Sequence, residues 1–227
     1  FAIIIPIIYP FLVPLGLHWP LNALQLANIA STGSDFIQGP MGAWNFACFG
    51  ATAGVLFLSI RDRDTDMRQT ASGALAAGLF GGISEPSLYG IHLRFKRIYP
   101  LMLTGCVVGG LVIGIGGGAT TNTFVFTSLL TIPVFTPMAV YGLGILAAFT
   151  TAFLMVVFFD YRTKEQKAVA REKKEAMKAG VSAAPAAAAA PADEDAAAEA
   201  TAPATEAAPA PSFSDEAKAD LTLTSPM

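Results

Sequence analysis

Residues 69–93 read QTASGALAAGLFGGISEPSLYGIHL, and the interpretation of this stretch decides the fold. It is apolar enough to enter a membrane, yet glycines at 73, 78, 81, 82 and 90 and Pro86 interrupt it, and Glu85 puts a carboxylate inside it. Glycine permits backbone shapes closed to other residues, and proline cannot donate a backbone hydrogen bond. A straight helix through 81–86 is therefore not expected. The pattern predicts a re-entrant hairpin that descends over 69–80, turns at 81–86 and returns over 87–93. Non-helical backbone at membrane depth persists only where protein or a watery cavity surrounds it, so the turn should line a cavity.

The flanking sequence supports the hairpin through charge. Apolar runs at 1–17, 41–60, 98–119 and 138–159 are candidate spans, since a bilayer core takes about 20 apolar residues as helix. The last three are long enough, and the first is short or broken. Arg61, Arg63 and Arg68 fall in one short loop, Arg94, Lys96 and Arg97 in another, seven further basic residues lie between 160 and 178, and Lys218 stands alone. Short loops rich in Lys and Arg face the cytoplasm, which puts both loops and the C-terminal tail on one side. A full crossing by 69–93 would leave the 61–68 loop outside, and a re-entrant hairpin removes that conflict. The expected fold is an all-α polytopic membrane protein of transmembrane helices plus re-entrant hairpin, followed by a disordered cytoplasmic tail.

Composition agrees. The 227 residues have 14% charged side chains and a mean hydropathy of +0.54, although the last third is polar and of low complexity. Between Phe1 and Ile60 the one charged residue is Asp35, and between Ile98 and Phe159 there is none. A soluble core cannot hide that much apolar surface. A net charge of −3 creates no field for nucleic acid. Cys48 and Cys106 sit in apolar runs without metal or redox spacing and read as buried membrane residues. No metal or other cofactor is expected. The chain starts in mid-hydrophobic run at Phe1 without a signal peptide, and reads as part of a longer polypeptide.

Glu85 is the strongest candidate site residue, because an ionisable group at membrane depth is costly and marks substrate or ion pathways. The alternative is a glutamate at the mouth that caps the returning half-helix. His18, in Gly16-Leu17-His18-Trp19-Pro20, can donate, accept or move a proton near neutral pH. Trp19 beside it is suited to stacking on a sugar face, or to an interfacial belt. His92 lies next to the basic patch Arg94-Phe95-Lys96-Arg97 and reads as a membrane-edge residue. That patch is topological, with a further capacity to dock a phosphorylated partner.

The run Gly82-Ile83-Ser84-Glu85-Pro86 resembles the Gly-Ile-Thr-Glu-Pro signature of the membrane IIC domain in bacterial phosphoenolpyruvate-dependent sugar phosphotransferase systems, with serine where threonine is commoner. Gly16-Leu17-His18-Trp19 resembles the histidine motif upstream in the same glucose-glucoside family, in the right order and at a plausible distance. The following Leu88-Tyr89-Gly90 is more like the beta-glucoside, sucrose and trehalose branch. The resemblance covers about 1–160 and implies a homodimeric permease in the bacterial plasma membrane. In it Glu85 binds sugar hydroxyls, and His18 is the catalytic residue near the hydroxyl that receives phosphate. It also implies two partners: a IIB domain whose phosphocysteine is the donor, and a IIA domain. Neither Cys48 nor Cys106 suits that donor role, since no basic residue flanks either in its span.

The tail divides into a basic, alanine-rich helix over 161–180, suited to the anionic inner leaflet, and an Ala/Pro-rich linker over 181–215. Residues 216–227 end in a strand-like alternation that resembles the opening of a IIA domain. The reading that follows is sugar translocation with concomitant phosphorylation. Two others stay open at this stage: an ion-coupled secondary transporter, which also uses broken helices, and a non-transporting membrane anchor.

Overall fold

A computed structural model describes residues 1–163 together with 166–169, 172 and 175. Most of the 161–180 helix, the 181–215 linker and the 216–227 start of a further domain lie outside the described residues. The described part is helical, and the β pairing in it is confined to two isolated bridges, Asp35 with Thr121 and Thr120 with Thr136. The helices are α1 (Ile4–Leu12), α2 (His18–Thr32), α3 (Gln38–Asp62), α4 (Thr65–Gly81), α5 (Glu85–Ser87), α6 (Ile98–Ile115) and α7 (Met138–Phe159). A π turn covers Leu88–His92, and a 3-10 turn covers Leu129–Val134. Three helices, α3, α6 and α7, are long and apolar enough to cross a membrane.

These three coincide with three of the four apolar runs, with α6 shorter than expected. It stops at Ile115 because Gly116 to Gly118 follow, the last two with φ of 90° and 95°. The first run breaks, as its sequence suggests: α1 ends at Leu12 and the chain restarts at His18 as α2, a helix not expected from the sequence. On α2, Leu24 and Leu26 are exposed and Gln25 is buried. That helix turns its polar side inward, opposite to the pattern of a water-facing helix.

α3 is the central helix, and small residues let its neighbours approach. A side-chain carbon at Gly50 would collide with the backbone of Phe149 on α7, and one at Gly109 on α6 would meet Ala148 and Gly144. Close approach at small residues is how helices bind one another where lipid competes for apolar surface. The start of α3 is fixed by the buried Asp35 carboxylate, which accepts the amides of Ile37 and Gln38 at 3.0 and 2.8 Å and the Asn28 side chain at 2.9 Å. A carboxylate suits the positive end of a helix. All its bonds are internal, so Asp35 is structural.

α3 ends at Arg63, in left-handed conformation, and Asp64 immediately caps α4 by accepting the Met67 amide at 3.1 Å. α4 runs for 17 residues, roughly 25 Å, and begins four residues earlier than the 69–93 reading set it. It stops at Gly82, whose φ of 71° glycine tolerates without strain. The chain then returns through α5 and the π turn, where a side chain at Gly90 would touch Thr70 of α4. The start and finish of this hairpin lie at one end of the bundle, since Asp64, Asp66, Thr70 and Arg94 line one small cavity.

The same end collects the other basic loops. Arg162, after α7, pairs with Asp62 at the end of α3 and with Asp160 at 3.2 Å, and its carbonyl accepts from Arg97. Burial pushes the Asp160 carboxyl up, but its hydrogen bonds with Arg162, the Arg162 charge and Lys167 together hold it below the usual carboxylate range. His92, read from sequence as a membrane-edge residue, is fully buried in the protein, with its ring 3.2 Å from Thr52 Oγ1 and 3.7 Å from Cys48 Sγ on α3. The wider π turn carries the ring inward, and a one-dimensional reading that sees only the basic residues nearby cannot anticipate that.

Candidate functional site

The two motifs far apart in sequence meet in space. His18 is the first residue of α2, placed there by the break after α1, and Glu85 is the first residue of α5, placed by the Gly82 reversal. His18 Nε2 and Glu85 Oε1 are 3.9 Å apart, with 14% and 40% of their side-chain surfaces exposed. That is too long for a direct hydrogen bond. It is short enough for an oxygen between them to contact both at about 2.8 Å. His18 Nδ1 is buried without a partner.

Both residues line a cavity of about 280 Å³. α1 and α3 contribute Tyr9, Trp44 and Asn45 to its wall, and Phe124 and Phe126 approach from the segment between α6 and α7. Trp19 lines it at the rim, 67% exposed, with its ring centroid 5.5 Å from that of His18. Tyr9 packs on Trp44 with centroids 4.9 Å apart, and its hydroxyl donates to Asn22 at 3.4 Å. Asn45 is seven residues into α3, which puts it roughly 10 Å from one helix end and roughly 26 Å from the Asp62 end. The cavity therefore lies within the span of α3.

The lining can both hydrogen-bond and stack on a ligand. It combines a carboxylate acceptor, an imidazole able to donate or accept, amide groups from Asn22 and Asn45, and aromatic faces. A second cavity of about 400 Å³, lined by residues such as Phe46, Leu79, Ile132 and Phe149, has only apolar side chains around it and carries no such chemistry.

His18, Trp19 and Glu85, the three site residues proposed from sequence, line this first cavity together. Sequence reasoning missed Tyr9, Trp44, Asn45, Phe124 and Phe126. Asn45 was open to detection, as an amide in an otherwise apolar span. The aromatic residues gave no signal above the general apolar background. Cys48 and Cys106 are buried, as expected.

Comparison with known proteins bears on this geometry. Residues 1–105 match the family model described as Phosphotransferase system, EIIC. The chain is 55% identical over 175 residues to the PTS system glucose-specific EIIBCA component of Corynebacterium glutamicum, covering 77% of this chain and 26% of that protein. It is 60% identical over 148 residues to the mannose-specific EIIBCA component of the same species, covering 65% of this chain and 22% of that one. A third relative, the arbutin-, cellobiose-, and salicin-specific EIIBC component of Escherichia coli, is 31% identical over 176 residues, covering 73% of this chain and 35% of that protein. The chain thus spans about a quarter of the length of the first two relatives. No solved structure matches it.

Proposed function

We propose, from the premise that residues 1–105 carry a phosphotransferase-system EIIC segment, that this chain forms part of a sugar permease whose sugar binds between Glu85 and His18. The observation that carries the proposal is the meeting of these two residues across an aromatic-lined cavity that holds a few polar groups. Glu85 accepts hydrogen bonds from sugar hydroxyls, and Trp19 at the rim offers a face for the ring. The hairpin does not cross the membrane, so that its two ends and the tail share the cytoplasmic side.

Phosphorylation in this reading needs a donor outside the chain, the phosphocysteine of a IIB domain recharged by a IIA domain. Two of the relatives are named EIIBCA components, which is consistent with those partners. The sugar hydroxyl oxygen bonds to phosphorus, the sulfur–phosphorus bond breaks and the thiolate leaves. His18 Nε2 takes the hydroxyl proton. Phosphoryl transfer relies chiefly on position and charge stabilisation, and the permease supplies the position. The assembly is a homodimer in the bacterial plasma membrane, as the family resemblance implies.

The proposed substrate is a hexose monosaccharide. Relatives at 55% and 60% identity are named for glucose and mannose, and the cavity is at the small end of the roughly 300–1,000 Å³ typical of ligand sites. A beta-glucoside remains the second reading, favoured by Leu88-Tyr89-Gly90 and by a relative named for beta-glucosides at 34% identity. The test is Glu85→Gln in the intact polypeptide in membrane vesicles, with radiolabelled glucose and a competing beta-glucoside. Loss of binding and phosphorylation with normal membrane insertion is expected. Undiminished uptake in that variant would refute the proposal, and uptake of unmodified sugar driven by an ion gradient would establish a secondary transporter instead.

A further inference from the structure

Asn45 is an amide on the central helix, 4% exposed, at the wall of the cavity that holds His18 and Glu85. Its Nδ2 donates to Thr127 Oγ1, and its Oδ1 has no partner. A buried carbonyl oxygen left unmet is costly and calls for an explanation. Thr127 is wholly buried, and its segment is held in place twice more. The Val125 amide donates to Gln38 Oε1 at 3.1 Å, and the backbone of Phe126 and Thr127 lies against the Gly82 turn with no space for a side chain there. Asn45 is thus tied at one end to a fixed strut that also abuts the Glu85 hairpin.

We infer that the Asn45 amide is a sugar-binding group that reads one ring hydroxyl, from a different helix than the His18–Glu85 pair. The inference rests on the sugar-site reading above. The terminal torsion of asparagine is broad and two-fold, so the amide reaches the cavity by a small swing. A threonine hydroxyl both donates and accepts, so Thr127 can hold either end of the amide while the other end meets the sugar. Asn45 can therefore present an acceptor or a donor according to how the hydroxyl is directed. Thr127 touches no substrate and is a positioning residue. A site that hydrogen-bonds a hydroxyl discriminates strongly against the analogue lacking it, because its own polar group is then left unmet. Asn45 accordingly contributes to choice of sugar more than to the phosphoryl step.

The experiment measures binding of glucose and of each monodeoxyglucose to the intact polypeptide in membrane vesicles, for the wild type, Asn45→Leu, Thr127→Val and Glu85→Gln. The wild type should bind one deoxyglucose weaker than glucose by about tenfold or more on account of this hydrogen bond. In Asn45→Leu, glucose should weaken by a similar factor, and the penalty for that deoxyglucose should vanish. An Asn45→Leu variant that keeps the full wild-type deoxy profile overturns the inference, as does one that weakens every sugar equally. Should Asn45→Leu fail to insert, Thr127→Val decides: the penalty shrinks if Asn45 reads the hydroxyl, and an unchanged penalty overturns it. Glucose binding that depends on Glu85 but shows an Asn45-independent profile defeats this inference alone, whereas a wild type that binds no hexose defeats both readings.

Discussion

Replacing His92 with alanine removes a ring that has no exposed surface and that fastens the π turn to α3. Truncating a buried side chain of that size costs about 2–4 kcal/mol through lost transfer energy and the cavity left behind. The hydrogen bond to Thr52 adds about 1 kcal/mol. Thr52 itself is not orphaned, since its hydroxyl also donates to the Cys48 carbonyl at 3.0 Å. The total of roughly 3–5 kcal/mol is a large part of a domain's usual margin of about 5–15 kcal/mol. For a chain of this size it corresponds to a fall in melting temperature on the order of 10 °C. Tryptophan fluorescence of the detergent-solubilised intact polypeptide, ramped in temperature, reads it directly. His92→Gln, which keeps a donor at that depth, should recover at least half of the loss. Sugar binding should weaken with the alanine variant, because the turn follows directly on the three residues of α5 that carry Glu85. An alanine variant that melts with the wild type would show that this contact does not hold the turn, and the account of the hairpin would fail with it.

Other perturbations test other parts of the structure. Gly50→Leu should disrupt the α3–α7 contact, because its side chain would meet the Phe149 backbone, which cannot move aside as a side chain can; loss of folded protein on size-exclusion chromatography checks it. Arg162→Met should cost about 1–3 kcal/mol, less than a fully buried pair because Asp62 still reaches water. The folded Asp160 carboxyl lies below its usual range. Its share of that stability is therefore complete above the ordinary value of about 4 and disappears as pH falls through the folded value. Acid titration of unfolding should show this dependence in the wild type and a weaker one in Arg162→Met, where the backbone amide of residue 162 and Lys167 still reach Asp160. Single cysteines at Asp64 and at Arg94 should both resist a membrane-impermeant thiol reagent added outside cells and react in inverted vesicles. Labelling of position 64 from outside would mean that the hairpin crosses.

The spans were legible because each is a long apolar run, and composition alone locates such runs. The hairpin was legible for a different reason: glycines and a proline around Glu85 forbid a straight helix, and the arginines on either side need to share a face. α2 was not legible. Its outer surface carries Leu24 and Leu26, its inner surface Gln25, and mixed polarity without a strong apolar stripe looks like loop when the surrounding medium is unknown. His92 misled for a related reason. Its neighbours in sequence are cationic, but its neighbours in space are Cys48 and Thr52, four residues apart on one face of α3.

The same contrast explains why half the cavity was invisible in sequence. Glu85 and His18 stand out as ionisable groups in places where ionisable groups are costly, so chemistry alone flags them. Trp44, Tyr9 and Phe124 belong to the cavity only because helix packing brings α1, α3 and the 124–127 segment around one space. The packing depends on sites such as Gly82, where anything larger would push the Phe126 and Thr127 backbone away. A glycine of this kind has no chemistry of its own, yet it fixes how closely the segment tied to Asn45 approaches the hairpin bearing Glu85. The distance between the two walls of the cavity thus depends on a lining residue that has no side chain, and substitutions at Gly82 should alter sugar affinity even with every polar lining group unchanged.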